Sequence, residues 1–218
     1  MSVPGACPYC GCTELLSDHF PGTLVSDDYA GYHAVNPTSR QACVSHLVTR
    51  AKKLVEELQH GASQYLRQHA SDFCTSVMAL LSAACAADKR LVAPSARRRA
   101  AKNFTRDLRR LCTLPAAIAR VDTFRQRILI DLPHLFTFLT TPNVPPTNNF
   151  AEQSIRHIVI FRKTSFGTRS AQGSKTLATL ASLVLSVKLQ NGNPLSFLRD
   201  LLVGNFDAAY RAVFPDTS

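Results

Sequence analysis

Gly22-Thr23-Leu24-Val25-Ser26-Asp27-Asp28 decides whether this chain is all-helical or mixed. A short run with β-branched and apolar residues, opened by glycine and closed by two acids, reads as a strand ending at Asp27. Downstream, Gln41-Ala42-Cys43-Val44 reads as a second short strand. From there to about residue 141 the pattern is helical. Residues 45–60 place Leu47, Ala51, Leu54, Val55 and Leu58 on one face, with Gly61 as the stop signal. Further helices are expected over about 63–87, 95–112 and 116–139, the last kinked or ended by Pro133, which removes a backbone donor. Thr141-Pro142-Asn143-Val144-Pro145-Pro146 forms a stiff connector. Beyond it come a helix from about Asn149, a polar stretch over 162–173, and a long helix over 174–189. The turn Asn191-Gly192-Asn193-Pro194 and a short helix over 195–202 follow. The class expected is α/β, mostly helical.

The chain has 218 residues, 45% hydrophobic and 18% charged, a composition suited to a folded domain rather than a disordered one. No run of about 18 apolar residues appears, so no membrane span is expected. Residues 1–5 show neither a basic nor an apolar leader, so an intracellular protein is expected. The net charge of +10 and the pI near 9.6 favour a polyanionic partner, most simply nucleic acid. Of seven cysteines, Cys74, Cys85 and Cys112 sit in apolar helical stretches and read as buried free thiols. No nucleophile elbow, phosphate loop or dinucleotide fingerprint is present.

Several residues admit two readings. Asp27, projecting from a strand end, suits a hard-cation ligand or an ordinary turn. Glu152, three residues after Asn149, suits either a capping box or a metal ligand, with Arg156 one turn on as its i,i+4 partner. Cys43 and His46 form a C-x-x-H step, read as part of a zinc site or as a packed thiol beside a hydrogen-bonded imidazole. Cys7 and Cys10, with Cys12 close by, have the shape of one zinc knuckle, for which His19 or Cys43 would complete the ligands. Arg97, Arg98, Arg99, Lys102, Arg106, Arg109 and Arg110 make the densest basic stretch, a phosphate-binding face or a solvated one. Arg162 and Lys163 form a second basic patch, close in sequence to Glu152.

In order and kind these segments resemble a family of bacterial transposases, the insertion-sequence sixty-six family. Residues 22–32 resemble its strand carrying the second catalytic aspartate. Cys43-Val44-Ser45-His46 with Arg50 is similar to its C-x-x-H segment. Asn148-Asn149-Phe150-Ala151-Glu152-Gln153-Ser154-Ile155-Arg156 resembles the segment bearing its catalytic glutamate. The resemblance implies a DDE site on an RNase H-like fold, with Asp27 and Glu152 as catalytic Mg²⁺ (or Mn²⁺) ligands and Cys43, His46 and Asn149 in support. It implies DNA cleavage and strand transfer in the transposition of an insertion sequence. Arg106, Arg109, Arg156, Arg162 and Lys163 would contact DNA at transposon ends and target. Self-association or pairing with a full-length transposase would follow, in the bacterial cytoplasm at the nucleoid and without a membrane.

The family's first aspartate lies several strands before its second, and 26 residues precede Asp27 here. The expected organisation is therefore a zinc-knuckle-like remnant over 1–14, with Zn²⁺ at Cys7 and Cys10, joined to a partial catalytic domain over 15–218. That domain would be an incomplete RNase H-like fold with a helical insertion over about 47–141 and C-terminal helices. The expectation is a truncated, inactive transposase fragment. The alternative is a non-catalytic module that binds DNA or a transposase and regulates it.

Overall fold

In the computed structural model, residues 19–27, 31–32, 35–58 and 63–215 are described. Strand β1 (His19–Ser26) pairs in parallel with β2 (Asn36–Ala42), so the run ending at Asp27 is a strand. Both strands begin earlier than expected, reaching back through Pro21 and Pro37. Proline cannot donate to a ladder, and the register slips between Phe20 and Thr23. Gly22 leaves room for the Phe20 ring, which would lie 2.9 Å from a Cβ placed there. Parallel strands ordinarily need a crossover of about a dozen residues or more, yet residues 27–35 make this one. Arg40 braces that connection by donating to the carbonyl oxygens of Tyr32 (3.1 Å) and Val35.

β2 ends at Ala42 rather than Val44, because Cys43 makes the last amide bond to β1 and the Val44 amide turns away from it. The Cys43 amide donates to Ser26 O (2.9 Å), and the Val44 amide to Pro146 O (3.0 Å). Helix α1 (Val44–Glu57) starts there and buries Val44, Leu47, Ala51 and Leu54, one stripe at helical spacing. Gly61 lies outside the described residues. Helix α2 (Gln64–Arg90) opens on Ser63, whose hydroxyl accepts from the Leu66 amide at 3.4 Å. By length and composition α2 could cross a membrane. Its face at Cys74, Val77, Leu81 and Ala84 is instead part of the core shared with α1. Burial pushes the Cys74 thiol up to about 11.

Helix α3 (Pro94–Leu111) has proline in its first turn, where no amide donor is missed. The helix expected to run through Pro133 is three pieces: α4 (Ala119–Asp131), a 3₁₀ turn (Leu132–His134) and α5 (Thr137–Thr140). Phe124, Ile128, Leu132, Phe138 and Leu139 from these pieces, and Leu135 between them, complete the core with Leu108 and Cys112. The Cys112 thiol is likewise raised to about 11 by burial, against the lowering influence of Arg125.

Two compact units divide at residues 148 and 149. In the second, α6 (Asn149–Thr164) buries none of its residues, and α7 (Ala171–Leu189) is capped by the Ser170 hydroxyl. Asn193 caps α8 (Pro194–Leu202) by accepting from the amides of Leu195 and Ser196. Helix α9 (Phe206–Val213), not anticipated from the sequence, closes a small core of Val187, Phe197, Ala209 and Val213. The described residues are thus mostly helical with one two-stranded parallel sheet.

Candidate functional site

A polar cavity of about 570 Å³ opens where β1 and β2 hand over to α1. Asp27 sits on its wall because the strand stops one residue earlier, so the sheet fixes the backbone and the carboxylate lies just beyond it. Cys43 and His46 line it from the strand-to-helix junction, and Arg50 from the next turn of α1. The opposite contribution comes from the far end of α4, through Arg127 and Asp131, and from His134 in the 3₁₀ turn that follows. Sequence reasoning missed these last three, and Arg40 and Tyr32 with them. The Arg127/Asp131 spacing is visible in the sequence, but only tertiary packing brings that turn to Asp27.

The charges of this wall are largely committed. Arg127 grips the buried Asp131 carboxylate through two parallel bonds, Nε at 2.8 Å and a terminal nitrogen at 2.6 Å. Arg40 is spent on backbone carbonyls. The Cys43 thiol, 2% exposed, donates to Asn148 Oδ1 at 2.8 Å and accepts from the Asn148 amide at 3.4 Å. Of the two readings of the C-x-x-H step, the packed thiol describes Cys43. That thiol also fastens the last residue before α6 to the end of β2.

Glu152 stands in the first turn of α6, in the other unit. There Asn149, Glu152 and Arg156 line one shallow cavity of about 400 Å³, and all three side chains are exposed. Arg162 and Lys163 are exposed in the last turn of the same helix. Arg106 and Arg109 are exposed on α3, which lends no residue to the wall around Asp27. Cys7 and Cys10 lie outside the described residues. Among the described residues, no three His, Cys, Asp or Glu side chains gather closely enough to hold a metal ion.

Comparison with known proteins adds three findings. No solved structure matches the chain. An uncharacterized protein, y4jD of Sinorhizobium fredii (strain NBRC 101917 / NGR234), is 32% identical over 96 residues, which are 43% of this chain and 19% of that protein. The chain therefore spans about a fifth of the length of that curated relative. The family model described as Transposase IS66 family matches residues 11–176, a span holding the Asp27 cavity, the basic helix α3 and all of α6, and the chain belongs to that family.

Proposed function

We propose that this chain is part of a DDE transposase, carrying the second and third carboxylates of a site that cuts and joins DNA at the ends of an insertion sequence. The observation that carries the reading is Asp27, fixed at the end of a parallel strand in the wall of a polar cavity within the matched span. An aspartate at that place is what an RNase H-like sheet would present, and β1 and β2 are read as two strands of one.

Asp27 and Glu152 are the catalytic pair in this reading. Both are carboxylates, the donors a hard cation prefers, but two of them do not make a full ligand set. A Mg²⁺ or Mn²⁺ ion held by them would supply Lewis-acid activation of the phosphodiester and of the attacking oxygen. The protein residues around them position the chain and the DNA. Cys43 anchors the approach to α6 through Asn148, while His46 and Arg50 face the cavity that would receive the scissile strand. Asn149 opens the helix of Glu152. Arg156, Arg162 and Lys163 on α6, with Arg106 and Arg109 on α3, neutralise phosphates. Such a protein acts in the bacterial cytoplasm on nucleoid DNA, paired with a further copy or a longer transposase. A zinc ion at Cys7 and Cys10 belongs to the same reading.

A second reading is favoured by the exposed cations of α3 and α6, which meet phosphates without any metal. It is a non-catalytic module that binds DNA, or a transposase, and modulates transposition. Both readings are tested by fluorescence anisotropy of the 218-residue chain on labelled duplex DNA across a salt series. Binding that weakens steeply from about 50 to about 200 mM salt is expected. DNA binding without cleavage, unchanged by Asp27→Ala, would favour the module, and no affinity at low salt would overturn DNA as the partner in either reading.

A further inference from the structure

The strongest charge feature outside the Asp27 cavity is α3. Its 18 residues hold seven cations and one carboxylate, so six of the chain's net +10 charges stand on one helix. At 3.6 residues per turn, Arg98, Arg99, Lys102, Arg106, Arg109 and Arg110 fall within an arc of about 120°. All six are exposed. The opposite arc carries Phe104, Leu108 and Cys112, which pack into the core. Among the described residues, Arg106 is the one of the six with an ion pair, to its neighbour Asp107 at 2.9 Å.

Apart from Arg109 and Arg110, which suit the negative end of the macrodipole in the last turn, this arrangement runs against what a helix needs for itself. No acid stands in its first turn, where the positive end of the macrodipole favours one, and Arg98 and Arg99 follow directly after that turn. Arg98, Lys102, Arg106 and Arg110 follow one another at i,i+4, and each like-charged step is unfavourable to the helix. A merely solvated face mixes signs and avoids both penalties. Local rules broken together on one face mark a face selected for something else.

Arg97 shows the contrast. It points inward, bonding Asp88 and the carbonyl oxygens of Asp88, Leu91, Phe138 and Leu139, and so clamps α3 onto the ends of its neighbours. The outer six are thereby presented on a rigid rod. From Arg98 to Arg110 the rod rises about 18 Å, an axial length over which one strand of duplex DNA offers about five phosphates.

We infer that the outer face of α3 is a duplex-DNA backbone surface that takes up several phosphates at once and reads no bases. It rests on the nucleic-acid reading above and adds Arg98, Arg99, Lys102 and Arg110 to it. Arginine and lysine on a helix lying against phosphates position a protein without sequence information.

The test uses the full chain with two unrelated duplexes of about 30 base pairs, each titrated at several KCl concentrations. Wild type should bind both duplexes alike. The quadruple variant Arg98→Gln, Lys102→Gln, Arg106→Gln, Arg109→Gln alters exposed side chains only, and circular dichroism should show its helix content unchanged. Its affinity should fall at least about tenfold at about 50 mM salt, and the slope of log affinity against log salt should become shallower by about three to four, near 0.9 for each phosphate no longer neutralised. Wild-type binding with an unchanged slope in the variant would overturn the α3 surface and leave the nucleic-acid reading standing on α6. No binding by wild type would overturn both. A several-fold preference for one duplex, or for anionic vesicles over duplex DNA, would also overturn the proposal.

Discussion

Arg97 and Arg98 are adjacent and identical in the sequence, yet they do opposite things. Arg98 is exposed on the outer arc of α3, whereas Arg97 is one of the most heavily bonded side chains of the first unit. Its side chain, 22% exposed, reaches the Asp88 carboxylate and four carbonyl oxygens at once. Those carbonyls belong to residues at the end of α2 and in α5, where helices leave acceptors without intrahelical partners. Only a planar fork of five donors meets such a spread, and an ammonium cannot. Arg97→Lys should therefore cost about 2–4 kcal/mol in urea unfolding, because it strands partly buried acceptors and a carboxylate. Arg98→Lys should stay within about 0.5 kcal/mol. Equal effects from the two substitutions would mean that the clamp is decorative.

At the scale of elements, one buried side chain ties the end of the sheet to the helical bundle. Gln41, fully buried at the end of β2, donates through Nε2 to Leu135 O (3.0 Å) and accepts the Phe138 amide at Oε1 (2.9 Å). Thr137 adds a bond from its hydroxyl to Arg40 O at 2.7 Å. Gln41→Leu would gain apolar surface and still should destabilise the chain by about 2–4 kcal/mol, since two buried backbone groups lose their partner. A stability equal to or above wild type in chemical denaturation would sink this account. These elements also mark how far the sequence could be read. The strand before Asp27 and helices α1 to α3 were legible from periodicity and caps, because each carries its signal locally. Pro133 was legible as a disturbance but not as a 3₁₀ turn, whose geometry depends on Gln41 from far away in the chain. Helix α9 was missed because its eight residues offer little period before Phe214 and Pro215. At the site, Asp27, Cys43 and His46 were recognisable by motif. The wall formed by Arg127, Asp131 and His134 was not, since nothing local says that the end of α4 returns to β1.

At the scale of the whole molecule, the two candidate carboxylates stand in different units, and the question is whether 218 residues can cut DNA unaided. Two divalent ions at one site bring four positive charges, and Mg²⁺ releases its waters only to well-placed carboxylates and substrate oxygens. Three carboxylates are the usual minimum in the DDE reading. Asp27 and Glu152 account for two. Asp28 follows Asp27 directly in the sequence, so it cannot bring a ligand from a neighbouring strand. Asp131 shares the cavity with Asp27, but both of its oxygens are held by Arg127. An ion gripped by too few ligands is loosely placed, and a displacement of about 1 Å at a reacting centre costs on the order of a hundredfold in rate. The chain alone should therefore show no strand cleavage of supercoiled plasmid in the presence of Mn²⁺, with wild type and Glu152→Gln giving the same background. Nicking by wild type that vanishes in Glu152→Gln would overturn this prediction. Asp131→Asn in the same assay would then show whether that carboxylate, freed from Arg127 when DNA binds, had supplied the third ligand.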